Sequence, residues 1–265
     1  MAGNEEQYYL DKCKPFQAVI GGLLQKESEI LDASRSDPAN AAGKLFGLSD
    51  EMLNLASYYF IFNSLSLTIL KNRSEEALNE ARKTIYKAVI YLESNVTGRV
   101  SASYSEYEVH TKGLAGVVDA QSRLNMVKKL GFAIDLLEEA YGSNSKWKWS
   151  FVELEGRFAA VAKNMLELSS IVASLDPRSD AYEPTTRHLA IVKRLLADVS
   201  AQYRDRHNLF TKRVEDLQTA RNFLDALRYL HTTLGESAEA DIVKKQSDLF
   251  EARINSELEK MANNG

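Results

Sequence analysis

Residues 151–175 read FVELEGRFAAVAKNMLELSSIVASL, and within them Phe151, Leu154, Phe158, Val161, Met165, Leu168, Val172 and Leu175 recur at alternating steps of three and four. An α-helix turns once every 3.6 residues, so side chains at those steps stack on one face. The stretch is therefore expected to be a helical seam about 25 residues long. Ser150 followed three residues later by Glu153 has the form of a capping box that would open it, and Asp176-Pro177 would close it.

The same period continues on the C-terminal side. After Pro184 neither glycine nor proline occurs until Gly235, and Leu189, Val192, Leu196, Val199, Tyr203, Phe210, Val214, Leu217, Leu224 and Leu227 carry the seam onward. Arg206 falls in a core slot of that pattern, and a four-residue shift lies near Phe210. Two readings stay open for residues 184–234: one helix of about 75 Å, at 1.5 Å per residue, or two helices with a turn near Arg204 to Asn208. Ser237 is expected to cap a last helix with Val243, Phe250, Ile254, Leu258 and Met261 on one face.

Toward the N-terminus, Tyr9, Cys13, Phe16, Ile20, Leu23 and Ile30 mark one face of a first helix. Pro15 interrupts it, and a start near Asp11 would place the proline in the first turn, where backbone N–H groups lack partners anyway. Asp37 with Pro38 reads as a turn that caps a short following segment. Gly43 and Gly47 are expected to break that segment, with Ser49 capping a helix that begins at Asp50 and Glu51. Ser74 would cap another, through Leu78, Ala81, Ile85, Ala88 and Leu92 to Thr97-Gly98. Ser105 with Glu108 forms a second capping box, expected to start a helix that runs through Leu114, Val117, Leu124, Val127, Ile134 and Tyr141 to Gly142.

The chain has 265 residues, 45% of them apolar and 26% charged, with only four prolines and thirteen glycines. That composition excludes a disordered or collagen-like chain, and the scarcity of breakers leaves long stretches that only helices fill well. An all-α fold is expected: an elongated bundle of seven or eight mostly antiparallel helices with coiled-coil-like seams. Residues 1–265 would form one helical domain, with 1–142 and 143–265 as two packed sub-bundles within it. No period of 34 or 40 residues marks a helical-repeat array.

Thirty-seven acidic side chains face 33 basic ones, and the net charge of −4 leaves no positive surplus for general nucleic-acid binding. A local reversal lies between Arg187 and His231, where nine Lys or Arg meet five Asp or Glu. Cys13 is the only cysteine, which excludes an intrachain disulfide. The opening MAGNEEQYYLDKCK is acidic and polar where a secretory signal needs a basic and then an apolar run, so a cytoplasmic location is expected. The sequons at Asn72 and Asn95 are then chance matches.

Residues 52–70 (MLNLASYYFIFNSLSLTIL) contain no charge and nearly match the thickness of a bilayer core. Asn54, Ser57, Asn63, Ser64, Ser66 and Thr68 interrupt the run, which favours an interior bundle helix over a membrane span. No catalytic or cofactor motif emerges. The residues three before His110, His188, His207 and His231 are Tyr107, Thr185, Arg204 and Arg228, so the Glu-x-x-His pairs of a di-iron bundle are absent. Glu76 with Glu80, and Asp135 with Glu139, have a spacing that would hold a hard cation only if their helices converged. Ala42-Gly43-Lys44-Leu45 lacks both the leading glycine and the hydroxyl of a phosphate loop. Cys13 and His110 sit at core spacing and read as structural.

The expected role is that of a non-enzymatic cytoplasmic adaptor, chaperone-like or structural protein, acting through protein contacts and with no cofactor. The alternatives are a ligand- or metal-binding regulatory bundle and a membrane-associated protein using residues 52–70. Candidate partner-binding residues are Lys146, Trp147, Lys148 and Trp149, where both tryptophans alternate with lysines, and Arg187, Arg194, Arg206 and Arg213 on the basic segment. In the connection, the favoured expectation is that Trp147 or Trp149 plugs the end of the bundle, with a joint surface of both indoles as the alternative. A second copy of the chain is a further expected partner, because a stripe from Leu189 to Leu227 would outrun its neighbours.

Overall fold

The computed structural model describes residues 2–37, 40–142 and 145–263. Among them there is no strand, and the class is all-α, with ten α-helices where seven or eight were expected. The surplus arises where side chains compete with the helix backbone and split a continuous periodic pattern. Two compact units result: Met1–Val96 with Gly113–Ser145, and Thr97–Lys112 with Lys146–Gly265.

The first unit is built on α1 (Ala2–Ser36), α2 (Ala41–Ile69), α3 (Glu75–Val96) and α5 (Ala120–Tyr141), with α2 packed against the other three. Its most regular member is α3, whose Leu78, Ala81, Ile85, Ala88 and Leu92 are all completely buried. The Ser74 hydroxyl accepts the Ala77 N–H at 3.2 Å, as expected of its N-cap. Helix α1 starts at Ala2 and passes through Pro15, not at Asp11. A proline there costs one backbone bond, which the stripe on its N-terminal side, with Cys13 buried, helps to offset. The turn expected at Pro38 lies outside the described residues.

Helix α2 runs straight through Gly43, Gly47 and Ser49. Ser49 is buried and donates to the Leu45 carbonyl at 3.0 Å, the mid-helix alternative to capping. Met52, Leu53, Leu55 and Ala56 are buried, and the polar residues of the uncharged run serve the fold. Asn63 Oδ1 accepts the Ser74 N–H at 3.0 Å and Ser66 donates to the Asn72 carbonyl at 3.0 Å, together fixing the turn into α3. Lys129 of α5 donates to Asp50 at 2.6 Å and to Asn54 at 2.7 Å. Ile61 and Leu67 remain exposed, so the helix is interior along one side only. No described helix is long and apolar enough to cross a membrane.

The capping box expected at Ser105 and Glu108 is replaced, two residues earlier, by half of one: the Ser103 N–H donates to Glu106 Oε1 at 2.8 Å, and the Ser103 hydroxyl donates to the same oxygen at 2.9 Å instead of accepting a helix N–H. It opens α4 (Tyr104–Ala115), which ends short of α5. Asp119 starts α5 by accepting the Ser122 N–H at 2.6 Å, and Val117 between the two helices is exposed, contrary to the single helix expected.

The second unit contains α6 (Lys148–Asn164), the four-residue α7 (Ile171–Ser174), α8 (Tyr182–Arg206), α9 (Val214–Thr233) and α10 (Ser237–Asn263). Helix α6 begins at Lys148 behind Trp147, so Ser150 and Glu153 form no capping box. Phe151, Leu154, Phe158, Val161, Met165 and Leu168 are buried as the seam requires. The helix stops at Asn164, because its carbonyl accepts the Thr111 hydroxyl at 2.9 Å and its side-chain amide donates to the carbonyls of Thr97 (2.8 Å) and Arg99 (3.2 Å). Beyond Leu168 the register is lost, and Val172, expected in the core, is 71% exposed.

The open question over residues 184–234 resolves as two helices. Between them His207–Thr211 forms a π-helical turn, closed by Lys212 in the left-handed region (φ 56°). Helices α8 and α9 pack on each other, and the Ser200 hydroxyl donates to the Ala220 carbonyl at 2.8 Å. Leu217, Leu224 and Leu227 are thereby buried within the unit. Of the ten stripe residues from Leu189 to Leu227, nine are buried and Phe210 is exposed. On α10, Val243 and Ile254 are buried, whereas Leu258 and Met261 face solvent.

Candidate partner-binding surface

Arg206 ends α8 in the core slot the sequence marks, and the slot holds a charge because a countercharge meets it. Asp216 Oδ1 accepts from Arg206 Nε at 3.0 Å and also from Nη2, while Asp216 Oδ2 takes the Thr211 hydroxyl. The Arg206 guanidinium also lies over the Tyr203 ring, 4.5 Å from its centroid. Asp216 therefore ties the end of α8 and the end of the turn to the first residues of α9. His207, buried, faces the Arg213 carbonyl with Nδ1 (2.8 Å) and Glu257 of α10 with Nε2 (3.1 Å). Arg253 of α10 donates to Asn208 Oδ1 at 2.6 Å, and Lys212 donates to the Asn208 carbonyl.

The consequence is a turn fixed on three sides that holds apolar side chains outward. Leu209 is 72% exposed and Phe210 63% exposed. Phe210, expected in the core, instead stacks on Trp149 with centroids 5.6 Å apart and planes 13° from parallel. The Lys148 ammonium lies 5.2 Å from the Trp149 ring centroid, and that of Lys146 lies 5.3 Å from the Trp147 ring, both within cation–π range. Lys212 and Arg213, both exposed, follow directly in the turn. An apolar ridge of Leu209, Phe210 and Trp149 thus carries lysines and an arginine around it.

The seam, this ridge and most of both units lie inside a stretch of chain, residues 5–258, that one family's sequence model matches. The chain belongs to the TP0443 family. No curated protein and no solved structure matches it.

In this TP0443-family chain the expected binding residues divide between different environments. Trp147 and Trp149 fall at the start of a helix, not in an extended strand, so residues two apart diverge by about 200° and do not form one face. Trp149 joins the ridge through Phe210, while Trp147 stays half-buried beside Lys146. Arg187 pairs with Glu183 one helical turn away at 2.6 Å, and Arg194 is exposed on α8. Arg206 and Arg213 do not share a face, because the turn separates them and Arg206 is spent on Asp216. Among the described residues no three His, Cys, Asp or Glu side chains are grouped to hold a metal ion, and Glu76, Glu80, Asp135 and Glu139 form no such site.

Sequence reasoning passed over a second feature of the same unit. Lys163, on the buried seam helix, is only 3% exposed and lines a cavity of about 290 Å³ with residues 100–103, Asn222, Asp225, Ala226 and Tyr229. Its ammonium donates to the Val100 carbonyl at 3.1 Å and lies 5.1 Å from the Tyr107 ring centroid. Burial pushes the lysine down from 10.5 to about 8. No spacing pattern announces it, since a lysine next to core positions reads as a solvated helix edge.

Proposed function

We propose that the protein is a non-enzymatic helical binding protein that acts in the cytoplasm and engages an acidic, apolar-anchored segment of a partner protein through the Trp149–Phe210 ridge. The observation that carries this reading is the exposure of Leu209 and Phe210 on a turn tied down by Asp216, Arg253 and Glu257. A large apolar side chain held rigidly in water loses the hydrophobic stabilisation that burial gives, about 1.5–3 kcal/mol, and recovers it when a partner covers it. Little conformational entropy is lost on binding, because the turn is already ordered. Aromatic side chains are also enriched among residues that dominate binding energy. Lys148, Lys212 and Arg213 give the ridge a sign opposite to that of the whole chain, which favours an acidic partner.

The test is capture of partners from the native cell by the full chain and by a Leu209→Ser/Phe210→Ser variant, followed by binding measurements on the purified partner. Because both side chains are exposed, the variant keeps its unfolding midpoint and loses the partner, and wild-type binding weakens as salt rises. Equal capture by both chains would remove the proposal.

A further inference from the structure

The cavity at the C-terminal end of α6 is independent of the ridge. We propose that it binds a small organic monocarboxylate, whose carboxylate takes the Lys163 ammonium and whose apolar body rests against Val100, Ala102, Ala226 and Tyr229. An ammonium has three N–H donors, and among the described residues Lys163 has one hydrogen-bond acceptor, the Val100 carbonyl. The remaining donors belong to a side chain that is 3% exposed and sits in the cavity wall. A buried charge without a counterion is costly, and an anionic ligand supplies the missing one.

The carboxylates nearby do not fill that role. Asp225, in the same wall, accepts the Ser247 hydroxyl at 2.7 Å and lies 3.7 Å from Arg221. Glu106, which exerts a field on Lys163, holds the Ser103 N–H and pairs with Arg99. Tyr107 behind the ammonium is raised by burial, so it stays neutral, and its hydroxyl has no hydrogen-bond partner among the described residues. With Lys163 lowered only to about 8, the site is cationic at neutral pH.

Charge and volume then narrow the ligand. A phosphate dianion would leave one negative charge uncompensated in a wall that already contains Asp225, whereas a monocarboxylate matches the single ammonium. A volume of about 290 Å³ lies at the small end of ligand sites. Ser101, Ser103 and Asn222 supply neutral polar groups at the wall.

The experiment titrates the full chain with benzoate and hexanoate, both within that size, and with benzamide and hexanamide as uncharged controls, followed by amide NMR shifts. The expected result is saturable binding of at least one carboxylate, about tenfold or more tighter than its amide, with shifts around residues 100–103 and 222–229. Lys163→Met abolishes the preference for the carboxylate. Because that change also removes the tether to Val100, Ala226→Leu serves as a second variant: it leaves Lys163 intact, fills the cavity and abolishes binding. Linear, unsaturable shifts with both carboxylates would overturn the proposal, as would equal binding of acid and amide, or unchanged binding to Ala226→Leu.

Discussion

Replacing Asp216 with alanine tests the device on which the ridge depends. The Asp216 side chain is 6% exposed and that of Arg206 19%, so the pair is buried at one end and reaches water at the other. Removing one partner of a fully buried pair costs about 3–5 kcal/mol, mostly the penalty for the stranded charge. Here the stranded group is Arg206, which retains some access to solvent and the Tyr203 ring 4.5 Å away, so a loss near the lower bound, about 3 kcal/mol, is expected. Thr211 loses its acceptor at the same time, which loosens the turn that presents Leu209 and Phe210. Trp149, stacked on Phe210, reports on this turn once Trp147 is replaced by phenylalanine, and its fluorescence in urea measures the loss directly. The control is Arg206→Met with Asp216→Leu, which removes both charges and keeps the volume; it should return to within about 1 kcal/mol of wild type. A single variant that loses less than about 1 kcal/mol, or a double variant no more stable than the single, would show that the pair neither is desolvated nor fixes the turn.

Phe158→Ala, in the buried seam of α6, should cost about 3–5 kcal/mol, and an unfolding midpoint within error of wild type would place this face outside the core. Between pH 8 and 10.5 the unfolded chain binds more protons at Lys163 than the folded one, so stability rises with pH across that window, by about 3 kcal/mol at about 1.4 kcal/mol per pH unit. Lys163→Met removes this gain, and parallel urea stabilities of the two chains from pH 7 to 10.5 would refute it. Gly156→Ala should destabilise although alanine is the better helix former by about 1 kcal/mol, because the new Cβ would lie 2.9 Å from the Tyr203 hydroxyl. That ring is stacked on Phe223 at 5.8 Å and cannot swing away freely, so a net loss of about 1–2 kcal/mol is expected in denaturant melts.

The helical class was legible because it depends on a period that local sequence carries: α3 and the first half of the 151–175 seam are buried at the positions their spacing marks. Helix ends were less legible, because they are decided by partners distant in sequence. Nothing near Asn164 says that Thr97, Arg99 and Thr111 will claim its backbone and side chain, yet those bonds end α6 and expose Val172. Ser49 and Ser103 make the same point in opposite directions. Ser49, ahead of Asp50 and Glu51, has the form of a cap but lies within a continuing apolar helix and donates to Leu45, while Ser103 follows a loop and has its N–H taken by Glu106 at the start of α4.

The site was legible in proportion to how far it broke the period. Arg206 in a core slot was an anomaly that marked the end of α8, because a guanidinium enters a core only where a countercharge waits, and Asp216, ten residues on, reaches it only if the chain turns back. Read that way, Arg206 and Asp216 together imply the break that periodicity alone left open. Phe210 is the converse case: at core spacing it counted toward the seam, and only the π turn rotates it outward onto Trp149. A residue that fits the period in sequence and faces solvent in the fold marks where tertiary bonds have overruled local pattern. In this chain that place is also where exposed Leu209 and Phe210 lie beside exposed Lys212 and Arg213.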